Sequence, residues 1–280
     1  MRSLNSIILP PLPSVEQVVA GFAFALLVAL GSVALRMLTL KGASAQFLLG
    51  WLLFTLGGWQ WTVPILVFFL TSGALTQYAS RKSRGVKQSL ASRDIRDASQ
   101  VLANGGAAGL FVALWYWSGS ELLYIAYLGG VASVTADTWG TELGITSPSA
   151  PRLITTWSPV EPGRSGAISP RGVTAGAIGS AIVSASSLPW LREEAAGIAL
   201  ASLITGGILG SLVDSLLGAT VQVQHLCSHC GRQTEQAQHC GHPTSPFRGR
   251  SWLGNDLVNL LCSLSGSAAA VALYSLFAAE

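Results

Sequence analysis

Two stretches of the chain decide its fold: residues 129–138, which read GGVASVTADT, and residues 206–215, which read GGILGSLVDS. Each lies in an apolar run long enough to cross a membrane as a helix, which takes about 20 residues. The shared spacing, Gly-Gly-x6-Asp-[Ser/Thr], indicates a degenerate parallel repeat that brings Asp137 and Asp214 together. Glycines on these faces would let the helices approach closely. The alternative is a chance match, because the chain contains 31 glycines.

The composition of the whole chain is typical of a membrane protein. Half of the 280 residues are hydrophobic and only 10% are charged, and the mean hydropathy is +0.50. Because an average soluble domain is about 25% charged, these values exclude a soluble globule and a disordered chain. The net charge of +3 is too small to favour a nucleic-acid partner. We therefore predict an all-α polytopic membrane helix bundle that forms a single integral membrane domain over residues 1–280.

Eight apolar runs are candidates for transmembrane helices. They are residues 18–38, 44–59, 61–78, 99–117, 122–143, 172–190, 197–222 and 256–277. The second and third form one long run that is broken at Gly57-Gly58. This break predicts a tight hairpin of two short spans, and a re-entrant pair is the alternative.

Basic residues are concentrated on one side of the predicted bundle. Fourteen of the 16 Lys and Arg residues fall in alternate loops, and only Arg2 and Arg192 fall on the other side. Cytoplasmic loops collect Lys and Arg, so these loops are predicted to be cytoplasmic and both termini extracytoplasmic. Three of the loops are long, at residues 79–98, 145–171 and 223–255. Long structured loops on one face often carry function.

Acidic and amide side chains occur near the cytoplasmic ends of the predicted spans, where burying charge is expensive. Asp137 and Asp214 have no basic partner in their own spans, so they need a cation or a proton. Several carboxylates and amides at one membrane level suit Mg²⁺, which prefers oxygen ligands. The other members of this candidate set are Asp97, Asn104, Glu142, Asn255, Asp256 and Asn259.

Some members of this set also fit a purely structural role. Asp97 and Gln100 match a capping box, and Asn259 fits an interhelical hydrogen bond. Glu142 is about 140° from Asp137 around an ideal helix. Glu142 is therefore expected at a frayed helix end or at a second ion.

The loop before residue 172 contains a Gly/Ser turn, residues 163–166, that we expect to bind phosphate through Ser165 and Gly166. Such a turn at a helix N-terminus presents free N–H groups and the positive end of the helix dipole. Arg152 and Arg164 would add charge-assisted contacts. The turn is not a Walker A loop, because no Gly-Lys-[Ser/Thr] follows. A plain connector rich in Pro and Gly is the alternative.

The loop at residues 223–255 contains a cysteine and histidine pattern that favours structural Zn²⁺. The predicted ligands are Cys227, Cys230, Cys240 and His242, with His239 as the alternative to His242. The metal would staple a cytoplasmic loop that has almost no apolar core. Reduced thiols without a metal are the alternative, and a disulfide is disfavoured on a cytoplasmic face.

Six motifs, in order along the chain, resemble one family of integral membrane proteins. The motifs are Arg93-Asp-x2-Asp-x2-Gln-Val-Leu-Ala-Asn104-Gly-Gly, Ala136-Asp-Thr-Trp-x-Thr-Glu-Leu-Gly144, Pro162-Gly-x-Ser-Gly166, Asp214-Ser-Leu-Leu-Gly-Ala-Thr-Val-Gln222, His239-Cys-Gly-x-Pro-Thr244 and Trp252-Leu-x-Asn-Asp-x-Val-Asn259. The family includes the phytyl-phosphate kinase of tocopherol synthesis and animal transmembrane protein nineteen. The resemblance extends from about residue 40 to the C-terminus.

The resemblance implies phosphoryl transfer from a nucleoside triphosphate, typically CTP, to an isoprenyl monophosphate such as phytyl or geranylgeranyl phosphate. The metal would be Mg²⁺. Its expected ligands are Asp137, Asp214 and Asp256, assisted by Glu142 and Asn255. The phosphate-binding and orienting residues would be Arg152, Arg164, Ser165, Gly166, Asp97, Asn104 and Asn259. The chain departs from the family pattern at Arg164, where Thr is expected, and at Ala167, where Gly is expected. The extra cation would tighten phosphate binding or alter nucleotide choice.

A membrane transporter or lipid flippase that uses intramembrane acids is the alternative function. A transferase of the CDP-alcohol type and a lipid phosphatase are further alternatives. The expected partners are the isoprenyl monophosphate and membrane lipid, without nucleic acid, and a homodimer is left open. The expected location is a bacterial-type cell membrane, or a thylakoid or plastid envelope if the source is photosynthetic, with the active site on the cytoplasmic side.

Overall fold

The computed structural model describes residues 12–82 and 95–278, and seven helices dominate this part of the chain. They are α1 (Val15–Ala34), α2 (Leu40–Lys82), α3 (Ala98–Ser118), α4 (Glu121–Gly144), α5 (Pro170–Ala185), α6 (Ala196–Thr220) and α7 (Asn255–Phe277). Two short 3₁₀ helices, Leu188–Trp190 and Glu193–Ala195, join α5 to α6. Six helical segments of the described chain are long and apolar enough to cross a membrane. The predicted all-α membrane helix bundle is confirmed.

The long helix α2 consists of two arms that fold back on each other. A straight helix of 43 residues would be about 65 Å long, twice the thickness of a bilayer core. The helix breaks at Gly58, whose φ of 65° and ψ of −155° are not helical. Gln17 Nε2 donates to the carbonyl of Phe54 in the first arm (3.2 Å), and Gln77 Nε2 in the second arm donates to the carbonyl of Leu35 (3.2 Å). The two arms therefore run along α1 in opposite directions, as the predicted hairpin requires.

With the arms of α2 counted separately, the described chain supplies eight helical segments, in line with the predicted count of about eight. Two predicted ends differ clearly from the structure. The predicted span 172–190 is α-helical only to Ala185, and a 3₁₀ helix follows at Leu188–Trp190. The first span ends at Ala34 and not at residue 38, because Leu38 instead forms a β-bridge with Arg96 just before α3. Arg2, Arg93 and Asp94 lie outside the described residues.

Helix α4 occupies the centre of the bundle, where it packs against α2, α3, α5, α6 and α7. Its residues 124–136 are all buried. Tyr127 Oη donates to the carbonyl of the fully buried Trp61 (2.5 Å), which joins α4 to the second arm of α2. Because other helices shield α4 from lipid, it can carry Asp137 and Glu142 within the membrane.

Glycines let α4 and α6 pack closely against α7. A Cβ atom added at Gly129 of α4 would lie 2.9 Å from the carbonyl oxygen of Gly266 in α7, and one added at Gly206 of α6 would lie 2.9 Å from the same oxygen. The first glycines of the two repeated motifs thus meet one point of α7 from two sides. Asp137 and Asp214 follow these glycines at the same spacing, so they reach the same level of the bundle.

Described residues of all three long loops that were predicted to share a face lie together, because Arg96, Arg164 and Glu235 line one cavity. At the same end, Thr39 N donates to the carbonyl of Arg96 (2.9 Å), and Arg171 Nη1 donates to the carbonyl of Thr146 (3.2 Å). At the other end of the bundle, Arg192 forms an ion pair with Glu121 (3.6 Å). We call the end that carries Arg96 and Arg171 the basic end.

Two loops at the basic end contain short strands that were not predicted. They are β1 (Arg152–Leu153), β2 (Ala167–Ile168), β3 (Gln224–Cys227), β4 (Gln233–Thr234), β5 (Gln238–His239) and β6 (His242–Arg248). Strands β1 and β2 pair antiparallel, and the other four form an antiparallel sheet in the order β4-β3-β6-β5. Arg248 Nη2 donates to the carbonyl of Ala219, and Gln224 Nε2 donates to that of Gly218 (3.1 Å). The sheet is therefore fixed to the end of α6.

The glycine contacts predict that Gly266→Ala destabilises the bundle. The added methyl group would lie 3.0 Å from the carbonyl of Gly129 and 2.8 Å from Ser133 Oγ, and overpacking of this kind costs about 1–3 kcal/mol. Gly31→Ala is the matched control, because nothing lies within 4 Å of its added Cβ. Thermal unfolding in detergent, followed by tryptophan fluorescence, should show a lower midpoint for Gly266→Ala only. Equal midpoints for both variants would contradict this packing.

Candidate active site

One cavity of about 2130 Å³ opens at the basic end of the bundle. Its walls come from α3, α4, α5, α6 and α7 and from the two stranded loops. The predicted site residues that line it are Asp97, Asn104, Asp137, Glu142, Arg164, Ser165, Gly166, Asp214, Asn255, Asp256 and Asn259. The structure therefore brings together residues from five separate motifs.

Asp137 of α4 and Asp214 of α6 are close enough for their charges to interact. Asp214 Oδ2 is buried and has no hydrogen-bond partner within the described part of the chain. A buried carboxylate oxygen without a partner is costly unless something else compensates its charge. A hard divalent cation such as Mg²⁺ would supply that compensation, so the residues present fit the predicted metal.

Glu235 is a third carboxylate at this point, and the sequence analysis missed it. It follows β4 in the cysteine loop, lines the cavity, and lies close enough to Asp137 and Asp214 for the three negative charges to repel one another. Desolvation at the cavity wall raises the pKa of Glu235 above its ordinary value. No spacing in the sequence distinguishes this glutamate from an ordinary polar loop residue.

The Gly/Ser turn packs against the end of α6. A Cβ atom at Gly166 would lie 2.5 Å from that of Ala219, and the φ of Gly166 is +77°, so only glycine fits there. Ser165 Oγ donates to Gln222 Oε1 (2.8 Å). Arg164 Nε is buried and has no hydrogen-bond partner among the described residues. An unpaired guanidinium nitrogen beside the cavity suits a phosphate.

The prediction that this turn stands at a helix N-terminus is wrong. Strand β2 separates it from α5, and Ser169 caps that helix by accepting from the N–H of Gly172 (3.1 Å). The physical reason is that Ala167 and Ile168 pair with β1 before the helix begins. Phosphate binding at this turn would depend on Arg164 rather than on a helix dipole.

Arg152 lies away from the cavity. Its side chain is exposed, and its Nη1 donates to the carbonyl of Trp157 (2.6 Å) within the same loop. The cavity-lining residues include its neighbour Pro151 but not Arg152 itself. The structure thus separates the two arginines that were predicted to act together, because β1 directs this side chain outward.

Two of the predicted acids have other roles in the fold. Asp97 caps α3: its Oδ1 accepts from Gln100 N (3.2 Å), and its own N–H donates to Gln100 Oε1 (3.2 Å). The capping box raised as the structural alternative is therefore present. Glu142 lies close enough to Arg96 for their opposite charges to attract. Both acids line the cavity, but Asp137, Asp214 and Glu235 form the acidic cluster.

The amide side chains lie around this cluster. Asn104 Nδ2 donates to the carbonyl of Gln100 (2.8 Å), and Asn255 Oδ1 accepts from Gln222 Nε2 (3.4 Å). Asp256 and Asn259 line the cavity from the first two turns of α7. The side-chain amide of Gln222 therefore links the Gly/Ser turn, through its Oε1, to the start of α7, through its Nε2.

A second group of potential ligands lies in the four-stranded loop. The Sγ atoms of Cys227, Cys230 and Cys240 and a ring nitrogen of His239 all lie within 4.8 Å of one another. This geometry selects His239 and corrects the choice of His242, whose ring stacks on that of His229 with centroids 5.4 Å apart. His242 belongs to β6 and lies outside the ligand group.

The thiols of this group differ in acidity. A hydrogen bond from the backbone N–H of Cys230 is the largest of the effects that lower the pKa of Cys227 to about 6. Desolvation and then the neighbouring thiols raise the pKa of Cys240 to about 11. One thiol thus ionises readily while the next resists a further negative charge, and a bound cation would relieve this repulsion.

Comparison with known proteins identifies the family. The model of the integral membrane protein family DUF92 matches residues 23–267. Protein PGR of Arabidopsis thaliana is 34% identical over 225 residues, which are 72% of this chain and 78% of the relative. An uncharacterized membrane protein of Methanocaldococcus jannaschii is 29% identical over 239 residues, 85% of this chain and 87% of the relative.

A further relative is the chloroplastic protein VTE6 of Arabidopsis thaliana, which is 26% identical over 246 residues, 84% of this chain and 64% of the relative. No solved structure matches the chain. The family match covers most of the chain, including both repeated motifs and the cavity they form. The chain therefore belongs to the DUF92 family of integral membrane proteins.

Proposed function

We propose that this chain is an isoprenyl-phosphate kinase. It would transfer the γ-phosphoryl group of a nucleoside triphosphate, CTP first among them, to phytyl or geranylgeranyl monophosphate at the cytoplasmic membrane face. The observation that carries the proposal is a single cavity lined by both Asp214 and Arg164. Within the described part of the chain, the buried Oδ2 of Asp214 and the buried Nε of Arg164 have no hydrogen-bond partner. The distant relationship to the chloroplastic protein VTE6 and the resemblance of the six motifs to the family that includes a phytyl-phosphate kinase support the same reaction class.

Mg²⁺ would be held by Asp137 and Asp214, with Asp256 and Asn255 beside them on α7. The bound metal would neutralise negative charge on the nucleotide phosphates. Arg164 would contact the same phosphates from the loop before α5, because it lines the same cavity. The cavity thus offers both an anionic wall for a metal and a cationic group for phosphate.

The reaction requires little acid–base chemistry from the protein. An oxygen of the acceptor monophosphate, which is already an anion, forms a bond to the γ-phosphorus. The bond from that phosphorus to its bridging oxygen breaks, and the nucleoside diphosphate leaves with the electron pair. The protein contributes by positioning the two anions and by neutralising their charge.

The cavity also offers a place for the isoprenyl chain. It continues between α5 and α6, where Val173, Ala177, Ile208 and Leu212 line it. Asp214 lines the same cavity as the four residues of this apolar cleft, two residues after Leu212. A prenyl tail in the cleft would place its phosphate beside the acidic cluster.

The acidic cluster predicts that Asp137→Asn and Asp214→Asn each abolish turnover while the protein stays folded. Loss of a metal-binding oxygen should lower kcat/KM by more than about 100-fold. The assay measures diphosphate formed from phytyl and geranylgeranyl monophosphate by purified protein in detergent with Mg²⁺ and each nucleoside triphosphate. Glu121→Gln is the control, because this carboxylate lies at the other end of the bundle in an exposed ion pair.

Full turnover by both asparagine variants would refute the proposed metal site. If folded wild-type protein forms no diphosphate from any acceptor but moves lipid or solute across liposomes, the transporter function takes its place. Release of CMP or inorganic phosphate in place of CDP would indicate the transferase or phosphatase alternative.

The two arginines of the stranded loop provide a matched pair. Arg164→Gln should raise the KM for the nucleotide by roughly 10-fold to 100-fold, because a hydrogen bond to a charged group contributes about 1.5–3 kcal/mol. Arg152→Gln should leave KM unchanged, since Arg152 faces away from the cavity. Steady-state kinetics with varied nucleotide measure both values. An equal effect of the two substitutions would show that loop charge alone matters.

The apolar cleft predicts that Ala177→Trp shortens the prenyl chain that the enzyme accepts. The larger side chain would fill the space between α5 and α6, so activity should fall more for geranylgeranyl than for geranyl monophosphate. Ile178→Trp is the control, because Ile178 is 50% exposed on the outer face of the same helix. The measurement is the ratio of kcat/KM for the two acceptors. A ratio that changes equally in both variants would place the tail elsewhere.

A further inference from the structure

In the four-stranded loop, a residue that lines the cavity, Glu235, lies between Cys230 and Cys240 in the sequence. Strand β4 follows Cys230 and pairs with β3, and β5 leads into His239. Glu235 lies in the turn that joins β4 to β5. It is the member of the acidic cluster that this loop supplies, and its charge interacts with those of Asp137 and Asp214. The position of Glu235 is therefore fixed by the chain segments that hold Cys230 and His239.

We propose that Cys227, Cys230, His239 and Cys240 bind Zn²⁺, and that the zinc-bound loop holds Glu235 at the cavity wall as a third carboxylate beside the cation held by Asp137 and Asp214. The zinc site stands on its own geometry. The role of Glu235 rests on the proposed function, because it deepens the description of the same cation site.

The loop needs a metal to hold its shape. The larger apolar side chains of its strands point outward: Leu226 is 38% exposed and Phe247 is 54% exposed. The buried side chains at the ligand group are Cys227 and His239 themselves. A small sheet without an apolar core gains its stability from a structural metal, and three thiolates with one imidazole form a closed tetrahedral zinc site.

The surroundings of Glu235 indicate a role at the cavity. Glu235, Ser165 and Asn255 all line it, and Ser165 and Asn255 belong to one hydrogen-bond network through Gln222. The negative charges of Glu235, Asp137 and Asp214 repel one another. A divalent cation beside them converts this repulsion into attraction.

The zinc site is tested by the metal content of the purified full-length protein. Elemental analysis should find one zinc per chain in the wild type and none in His239→Ala or in the Cys230→Ser, Cys240→Ser double variant. His242→Ala and Cys262→Ser are matched controls that should retain zinc, because His242 lies outside the ligand group and Cys262 hydrogen-bonds to Ser133 within the bundle. Folded wild-type protein that holds no zinc and takes up none under reducing conditions would overturn the site. Loss of zinc from His242→Ala but not from His239→Ala would overturn the ligand set.

The role of Glu235 is tested by Mn²⁺ binding, with Mn²⁺ as a paramagnetic substitute for Mg²⁺ in a titration followed by electron paramagnetic resonance. Glu235→Gln should keep its zinc and bind Mn²⁺ at least about tenfold more weakly. His239→Ala should weaken Mn²⁺ binding to a similar extent, because the turn that carries Glu235 is no longer held. Combining Glu235→Gln with His239→Ala should weaken Mn²⁺ binding little further. Glu121→Gln should bind Mn²⁺ as the wild type does.

Unchanged Mn²⁺ affinity in Glu235→Gln would overturn the assignment of Glu235. Weaker Mn²⁺ binding in Glu235→Gln with normal binding in the zinc-free variants would separate the zinc site from the cavity and overturn the link between them. Neither measurement needs turnover. A protein that binds zinc and Mn²⁺ as described but forms no diphosphate would therefore contradict the proposed function and leave this inference standing.

Discussion

The close approach of three helix backbones is the constraint on which the rest of the molecule depends. Gly129 of α4 and Gly206 of α6 meet the same carbonyl of α7, at Gly266. Gly210 would place a Cβ atom 2.8 Å from the carbonyl of Cys262, one turn further along the same seam. Helices in lipid gain little from hydrophobic contact with each other, so small residues that permit close packing decide which faces meet. At this seam, that packing fixes the level at which two parallel helices deliver their aspartates.

The candidate site follows from that arrangement and from the two loops that close over it. Helices α4 and α6 supply Asp137 and Asp214, and α7 adds its amides and Asp256 from its first turns. The two stranded loops add Arg164 and Glu235 at the basic end of the bundle. Positive and negative groups thus line one cavity, as the binding of a metal–nucleotide complex would require.

The sequence predicts the parts of this structure that depend on periodic or local signals. Apolar runs predict the spans, Gly57-Gly58 predicts the hairpin, and the repeated motif predicts that two aspartates share a site. Strands as short as β1 and β2 leave no periodic signal, and their pairing moves the Gly/Ser turn away from the helix start. Glu235 and the choice of His239 depend on how a four-stranded sheet folds against α6. Such contacts between distant segments are absent from any local pattern.

The end of α6 has a further consequence for ligand binding. The Gly/Ser turn packs on Ala219, the sheet hydrogen-bonds to Gly218 and Ala219, and Asp214 belongs to the same helix one turn earlier. Three parts of the cavity wall are thus attached to one helix, α6. The loss of conformational entropy that accompanies their ordering is incurred when the protein folds, not when a ligand arrives. A displacement of α6 would move these walls as one body. Their mutual geometry would persist while the apolar cleft between α5 and α6 widens or narrows.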